Sequence, residues 1–325
     1  MNRREILKAG FGSLAAASAL RPMAAQAAEW PTKSIRVVVP YAAGSATDLV
    51  PRTVFEQVGR QVGQTFIVEN RPGGGTTIGS SQVKQADPDG HTILVHSNAI
   101  VTVPAIQLNV PYDPVKDFSG LTPLGNVPLV LVVAPSKGIK TVQELVAKAK
   151  AKPGEINYAA AGIGTPPHLA MERFRLAAGF EGQLVPFKGS PEALTEVMTG
   201  RVDIYFCPIT PALPLIRDGK LLAIAVSSSK RATALPDVPT TLESVPGSDL
   251  DFWVGAFVPK KTPRDVVAKM HDEIVKALNN QSIKDKLTTL GVQQMIMEPD
   301  AFDARIAKEA DIAVKLAKAA NIQPQ

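Results

Sequence analysis

The stretch "SIRVVVPYAAGSATD", residues 34–48, limits what this chain can fold into more than any other segment. It opens as a β-branched apolar run with no polar alternation, bounded by Pro31 and Gly44, and so reads as a buried strand. The period then changes, because Leu49, Val50, Val54, Phe55 and Val58 recur at helical spacing as far as Gly59. The same exchange of periods repeats down the chain. "TFIVEN", "HTILVHS" (launched by the turn Asp87-Pro88-Asp89-Gly90), "LVLVVAP", "INYAAAG", "QLVPFKG", "VDIYFCP" and "LLAIAVSS" read as strands, with helical patterns between most of them. One such helix, over 141–152, is stopped by Pro153-Gly154, and the last third is helical over 264–279, 282–290 and 300–319. Alternation on this scale predicts open α/β sheets with helices on both faces.

The N-terminus has a different character. Arg3-Arg4 precedes an apolar run from Ala9 to Leu20 and the small-residue site Ala25-Gln26-Ala27, which together describe a cleaved, twin-arginine-like export signal over residues 1–27. The run is short of the ~20 residues that a spanning helix needs. The signal carries four basic residues against one acidic, +3 of the formal +5, and leaves the remainder at about +2 with mixed signs. That balance gives no electrostatic case for nucleic acid or a membrane surface. Cys207 is the single cysteine, so an internal disulfide and a multi-cysteine zinc site are both excluded. The roughly 300 residues that follow the signal are enough for two domains with their own cores.

Two strand-to-helix corners share a pattern. Ala42-Ala43-Gly44-Ser45-Ala46-Thr47 and Ala160-Ala161-Gly162-Ile163-Gly164-Thr165 both read AAG-x-x-T, follow an apolar run and open a helical pattern. Free N–H groups and the helix dipole make such a corner an anion site, and small residues admit a ligand close to the backbone. Two such corners, one in each half, can hold one anion between two domains. Small residues also make tight turns, and spacing alone leaves both readings open.

Eight segments in order resemble one family: "WPTKSIRVVVPYAAGSATD", "VENRPGGGTTIG", "DPDGHTILVHSN", "VPYDPVKDF", "AKPGEINYAAAGIGTPPHLA", "VPFKGSPEALTEVMTGRVDIYF", "GKLLAIAVSSSKRATALPDVPT" and "GAFVPKKTP". Across essentially the whole chain after the signal, it resembles the periplasmic substrate-binding proteins of tripartite tricarboxylate transporters, the Bug receptors. The resemblance implies a two-domain, type II-like periplasmic binding protein clamshell with its ligand in the interdomain cleft. Residues 28–128 and 251–325 would form one domain and 129–250 the other, with hinge strands near 121–134 and 251–259. It also implies that a ligand carboxylate is gripped, largely by backbone groups and ordered water, from two loops. Those are Tyr41, Ala42, Ala43, Gly44, Ser45, Ala46, Thr47 and Asp48 in one half, and Gly162, Ile163, Gly164, Thr165 and His168 in the other. Membrane transporter subunits are the implied partner, with a small carboxylate as ligand, in a periplasmic monomer.

Other positions complete the expected site. Ser97 and Asn98 end the strand "TILVH", where they serve either a polar ligand end or a simple turn. Phe187 and Lys188 lie at another strand end, and Cys207 and Pro208 at a third. Trp253 in a hinge strand reads equally as core or pocket wall, and His168 as a prop for its loop before a ligand contact. "RPGGGTTIG" lacks the G-K-[ST] ending of a phosphate loop and is taken as a loop and helix start. No G-x-S-x-G elbow occurs, and His91, His96, His168 and His271 lack metal-ligand spacing. The expectation is a receptor without metal or cofactor, not an enzyme. Neither gripping loop holds an arginine, and Ala42, Ala43, Pro167, Phe187, Cys207 and Pro208 make the pocket apolar. That favours an aromatic carboxylate, terephthalate for example, over citrate, with an aliphatic di- or tricarboxylate as the alternative. A sensing role alongside a membrane signalling system uses the same cleft and stays open.

Overall fold

The computed structural model describes residues 30–319; the export signal expected over 1–27 lies outside them. The chain opens with β1 (Ile35–Val39), α1 (Ala46–Val62), β2 (Phe66–Asn70), α2 (Thr77–Lys84), β3 (Thr92–Ser97), α3 (Ala99–Ile106) and β4 (Phe118–Asn126). It continues through β5 (Leu129–Val133), α4 (Val142–Ala151), β6 (Ile156–Ala160), α5 (Pro166–Ala178), β7 (Gly182–Pro186), α6 (Ser190–Met198), β8 (Ile204–Pro208), α7 (Ile209–Arg217) and β9 (Leu222–Val226). After a long connection come β10 (Trp253–Pro259), α8 (Arg264–Asn279), α9 (Gln281–Thr289) and α10 (Pro299–Ala319).

Two five-stranded sheets result, in the orders β2-β1-β3-β10-β4 and β7-β6-β8-β5-β9. They are two settings of one plan. In each, the second, first and third positions are parallel strands, and the fourth is an antiparallel strand. That fourth strand follows a crossing from the other lobe: β5 enters the second lobe right after β4, and β10 returns to the first. The crossings run side by side, with Val127 N–H donating to Phe252 O at 2.7 Å and Leu250 N–H to Ser227 O at 2.8 Å. The molecule is therefore a two-domain clamshell whose chain passes between the halves through adjacent extended segments.

The apolar run that constrained the fold behaves as a doubly covered strand. Val37 and Val39 pack into the core that holds Val50, Val54 and Phe55 of α1, while Val38 turns to the opposite cluster with Phe118, Phe257 and Phe302. The C-terminal helices thus complete the first lobe. At Gly120 and Gly125 of β4, a Cβ would come within 2.6 Å of Phe302 and 2.4 Å of Val292, so glycine is what lets this segment lie on the sheet. No described helix is long and apolar enough to cross a membrane.

Candidate functional site

Equivalent positions in the two sheets bring the AAG-x-x-T corners to the same end of each lobe, between β1 and α1 and between β6 and α5. In the first corner Gly44 takes φ +79°, and its N–H donates to Asp48 Oδ2 at 2.8 Å. Asp48 is itself buried, receiving Arg52 Nε and Asn70 Nδ2, each at 2.9 Å, on its other oxygen. In the second corner Gly164 N–H donates to His168 Nδ1 at 3.1 Å, and Thr165 Oγ1 donates to Gly162 O at 2.7 Å. Burial holds the His168 pKa below its ordinary value, so the ring is neutral and its Nδ1 lone pair accepts. Behind it, buried Glu172 is bridged by Arg175 and the Tyr158 phenol. Asp48 and His168 hold the corners in shape; Ser45 and Thr47 bond each other at 3.2 Å.

The lobes meet across these corners. Thr102 Oγ1 on α3 donates to Gly164 O at 2.7 Å, and Gln107 Nε2 donates to Ile163 O at 3.0 Å. Gly189 presses on Ala42 so closely that a Cβ there would stand 2.6 Å from the alanine methyl. Between the lobes lies a cavity of about 420 Å³. Its first-lobe wall is Pro40, Tyr41, Gly73, Gly74, Gly75, Thr76 and Gln107; its second-lobe wall is Ala161, Gly162, Ile163, Pro186, Phe187, Lys188 and Glu192. Lys188 and Glu192 are the only charged residues in that lining.

Of the expected site residues, Tyr41, Gly162, Ile163, Phe187 and Lys188 line this cavity. Ala42 and Gly44 lie at lobe-to-lobe contacts beside it, while Ala43 and Ala46 belong to the corner without lining the cavity. Ser97 is buried, its hydroxyl 2.6 Å from the Tyr41 phenol. Asn98 faces a different groove, between α3, α5 and α10, where its amide donates to Asp251 O at 3.0 Å. Trp253 is buried at the edge of that groove, bonded to Glu309. Cys207 and Pro208 are enclosed within β8, and burial pushes the Cys207 thiol well above its ordinary pKa, so it stays protonated. The hydroxyls of Tyr205 and Ser190 lie beside it, 3.1 Å apart.

Sequence reasoning missed the cavity's Gly73, Gly74, Gly75, Thr76, Gln107 and Glu192. The glycine run is legible in the sequence as a loop and helix start, not as a cavity wall. The signal that finds it is the equivalence of the lobes, since the β2–α2 loop in the first matches the β7–α6 loop with Phe187 and Lys188 in the second. Among the described residues no group of three or more His, Cys, Asp or Glu is arranged to hold a metal ion.

A clamshell of two equivalent α/β lobes closing on a cavity is the architecture of periplasmic solute-binding receptors, and solved structures of that class superpose on this one. A Rhodopseudomonas palustris protein solved with adipate matches with a TM-score of 0.88 at 29% identity, over 91% of this chain and all of that one. MatC of the same species, solved with bound malate, matches at 0.83 and 29% identity, over 88% and 99% of the two chains. The sequence of BugT from Bordetella pertussis is 30% identical over 95% of each chain. Residues 50–322 match the family model described as the tripartite tricarboxylate transporter family receptor, and the chain belongs to that family. It is thus a solute-binding receptor, not an enzyme, of a family that serves a membrane transporter.

Proposed function

We propose that this receptor captures a small dicarboxylate with an apolar body between its lobes and presents it, closed, to its membrane transporter. The observation that carries this reading is the lining of the 420 Å³ cavity: Pro40, Tyr41, Pro186 and Phe187 give apolar walls, and one lysine is the sole cation. Such walls suit a body without charge, while the backbone of Ala161, Gly162 and Ile163 and the Lys188 ammonium suit carboxylates. A cluster of three carboxylates would meet too few cations. An aromatic dicarboxylate such as terephthalate fits this chemistry best. The adipate- and malate-bound neighbours favour an aliphatic dicarboxylate as the second reading.

In this reading residues 28–128 with 251–325 move as one domain and 129–250 as the other. The adjacent crossings at Val127 and Phe252 are the hinge. Ligand stabilises the closed state by binding it better than the open one, and the receptor works as a periplasmic monomer.

Thermal unfolding with terephthalate, adipate, malate and citrate tests this directly, because a ligand of the folded state raises the midpoint with its concentration. Terephthalate and adipate are expected to raise it and citrate to leave it unchanged. A shift with citrate alone overturns the apolar-body reading. No shift with any of the four overturns the dicarboxylate reading.

A further inference from the structure

Three successive carbonyls of the second corner each accept a hydrogen bond from a side chain. Thr165 Oγ1, within the corner, donates to Gly162 O at 2.7 Å. The other two donors come from the first lobe: Gln107 Nε2, just after α3, to Ile163 O at 3.0 Å, and Thr102 Oγ1, on α3, to Gly164 O at 2.7 Å. The N–H groups of Gly162 and Ile163, by contrast, find no acceptor among the described residues, and both residues line the cavity. A turn whose carbonyls are occupied while its N–H groups are not suits an anion, because the oxygens that would repel it already have donors against them.

The α3 segment is fitted closely to this corner. A Cβ on Gly164 would stand 3.4 Å from Val103 Cα, so the helix backbone lies against the turn. Gln107 lines the cavity and reaches the corner past Gly75, where a Cβ would come within 2.2 Å of its Nε2; glycine leaves the amide room to cross. The first corner has no such bracket. Its Tyr41 O accepts from Asn70 of its own lobe, and among the described residues no second-lobe side chain donates to a carbonyl between Tyr41 and Thr47.

We propose that Thr102 and Gln107 are positioning residues for the bound acid, holding the carbonyls of Ile163 and Gly164 so that the second corner presents N–H groups to the ligand carboxylate. This rests on the reading above that a carboxylate sits at Gly162 and Ile163. Both bonds cross from one lobe to the other, so they exist only while the lobes meet. The second lobe thus carries an unfinished carboxylate site that α3 of the first lobe completes, and closure and acid binding strengthen each other.

The test measures association and dissociation rates by stopped flow for two acid pairs, adipate with hexanoate and terephthalate with benzoate. The proteins are the parent, Gln107→Met, Thr102→Val and Thr102→Ser. Methionine keeps the length of Gln107 and valine the shape of Thr102, each without the donor. Each is expected to raise the dissociation rate about fivefold for every acid the parent binds, with association rates within about twofold, because the bonds form once the lobes meet around the ligand. Diacid-to-monoacid ratios should stay as in the parent, since the carbonyls are held beside the one carboxylate that all four acids share. Thr102→Ser keeps the hydroxyl and should bind as the parent does. Either donor-deleting variant tests the proposal if the other folds poorly. Unchanged dissociation rates in the variants overturn it while the receptor reading stands. A loss confined to the diacids also overturns it, by placing the side chain on the second carboxylate, as does a fall in association rate alone, which marks a misshapen cavity. A parent that binds none of the four acids overturns the carboxylate reading as well.

Discussion

In the first corner a carboxylate holds the turn, Asp48 Oδ2 at 2.8 Å from Gly44 N; in the second a neutral imidazole does so, His168 Nδ1 at 3.1 Å from Gly164 N. Each acceptor stands four residues beyond the glycine whose N–H it takes. The choice has a consequence for an anionic ligand. A buried negative charge close to the first corner opposes a carboxylate there, and Arg52 and Asn70 are spent on Asp48 instead. In the second corner the turn itself is held by a neutral group, and the buried carboxylate, Glu172, lies behind His168 and is paired with Arg175. The cavity follows the same division, reaching the first corner only at Pro40 and Tyr41 but the second at Ala161, Gly162 and Ile163. One sequence pattern thus makes a scaffold in one lobe and a cavity wall in the other.

The largest effect that would break this comparison is expected at Asp48. Asp48→Leu leaves the Gly44 N–H without its acceptor and strips Arg52 of its partner; the arginine is half exposed, which softens that second loss. A loss of about 3 kcal/mol in urea unfolding is expected. The affinity of the remaining folded protein should change little. If stability held and affinity collapsed, the first corner would be a ligand wall after all.

Gly162→Val reverses the pattern. Valine at φ +99° is strained, and its Cβ would press on Thr165 at 3.2 Å and approach Gly75 of the opposite lobe at 3.7 Å. Binding of every acid should weaken about tenfold or more, with a smaller loss of stability than in Asp48→Leu. Normal binding would remove the second corner from the site.

Thr102→Val probes closure without touching the cavity wall. It deletes the hydrogen bond to Gly164 O, worth about 1 kcal/mol, or about fivefold in affinity. Because the bond joins the lobes rather than a lobe to the ligand, the loss should be the same for each acid, leaving their ratios unchanged. Titration calorimetry across the adipate and terephthalate pairs reads this, and a changed ratio would place Thr102 in the site itself.

What could be read from the sequence divides along similar lines. The βα alternation was legible because buried parallel strands and amphipathic helices differ in period over only a few residues, as at Val37, Val38 and Val39 against Val50, Val54 and Val58. β4 was less so: "FSGLTPLGN" carries two glycines and a proline, and it is a strand because Phe302 and Val292 need the space that glycine leaves. α3 escaped notice because "AIVTVPAI" is β-branched and holds Pro104, yet the packed apolar surround of Ile100, Val101 and Val103 makes it helical. The corners stood out as a repeat. Asp48 falls among the expected ligand residues through the family resemblance, and no local pattern shows that its carboxylate turns inward to Gly44. Thr76 and Gln107 were missed because they line the cavity only when the lobes face each other, a fact that no local stretch of sequence contains.

The smallest effect expected is one of slope, and it tests the neutral acceptor in the second corner. Burial depresses the His168 pKa, while the unfolded chain keeps the ordinary value of about 6.5. As pH falls through 6.5 the unfolded state therefore binds the proton first, so the stability from this group is present above that pH and lost below it. Protonation also converts Nδ1 from acceptor to donor, facing the Gly164 N–H. His96 acts in the same sense: fully buried, with its Nδ1 2.9 Å from Ser97 O, it titrates at about 4 in the folded protein. Its share of the decline runs from about 6.5 to about 4. His168→Gln removes one of the two titrations. Urea midpoints measured from pH 7 to pH 5 should fall less steeply in this variant than in the parent, while Asp48→Asn, which alters the other corner, should leave the histidine-dependent slope in place. Identical slopes in the parent and His168→Gln would remove His168 from the acid sensitivity, and the second corner would then hold its turn without relying on a neutral imidazole.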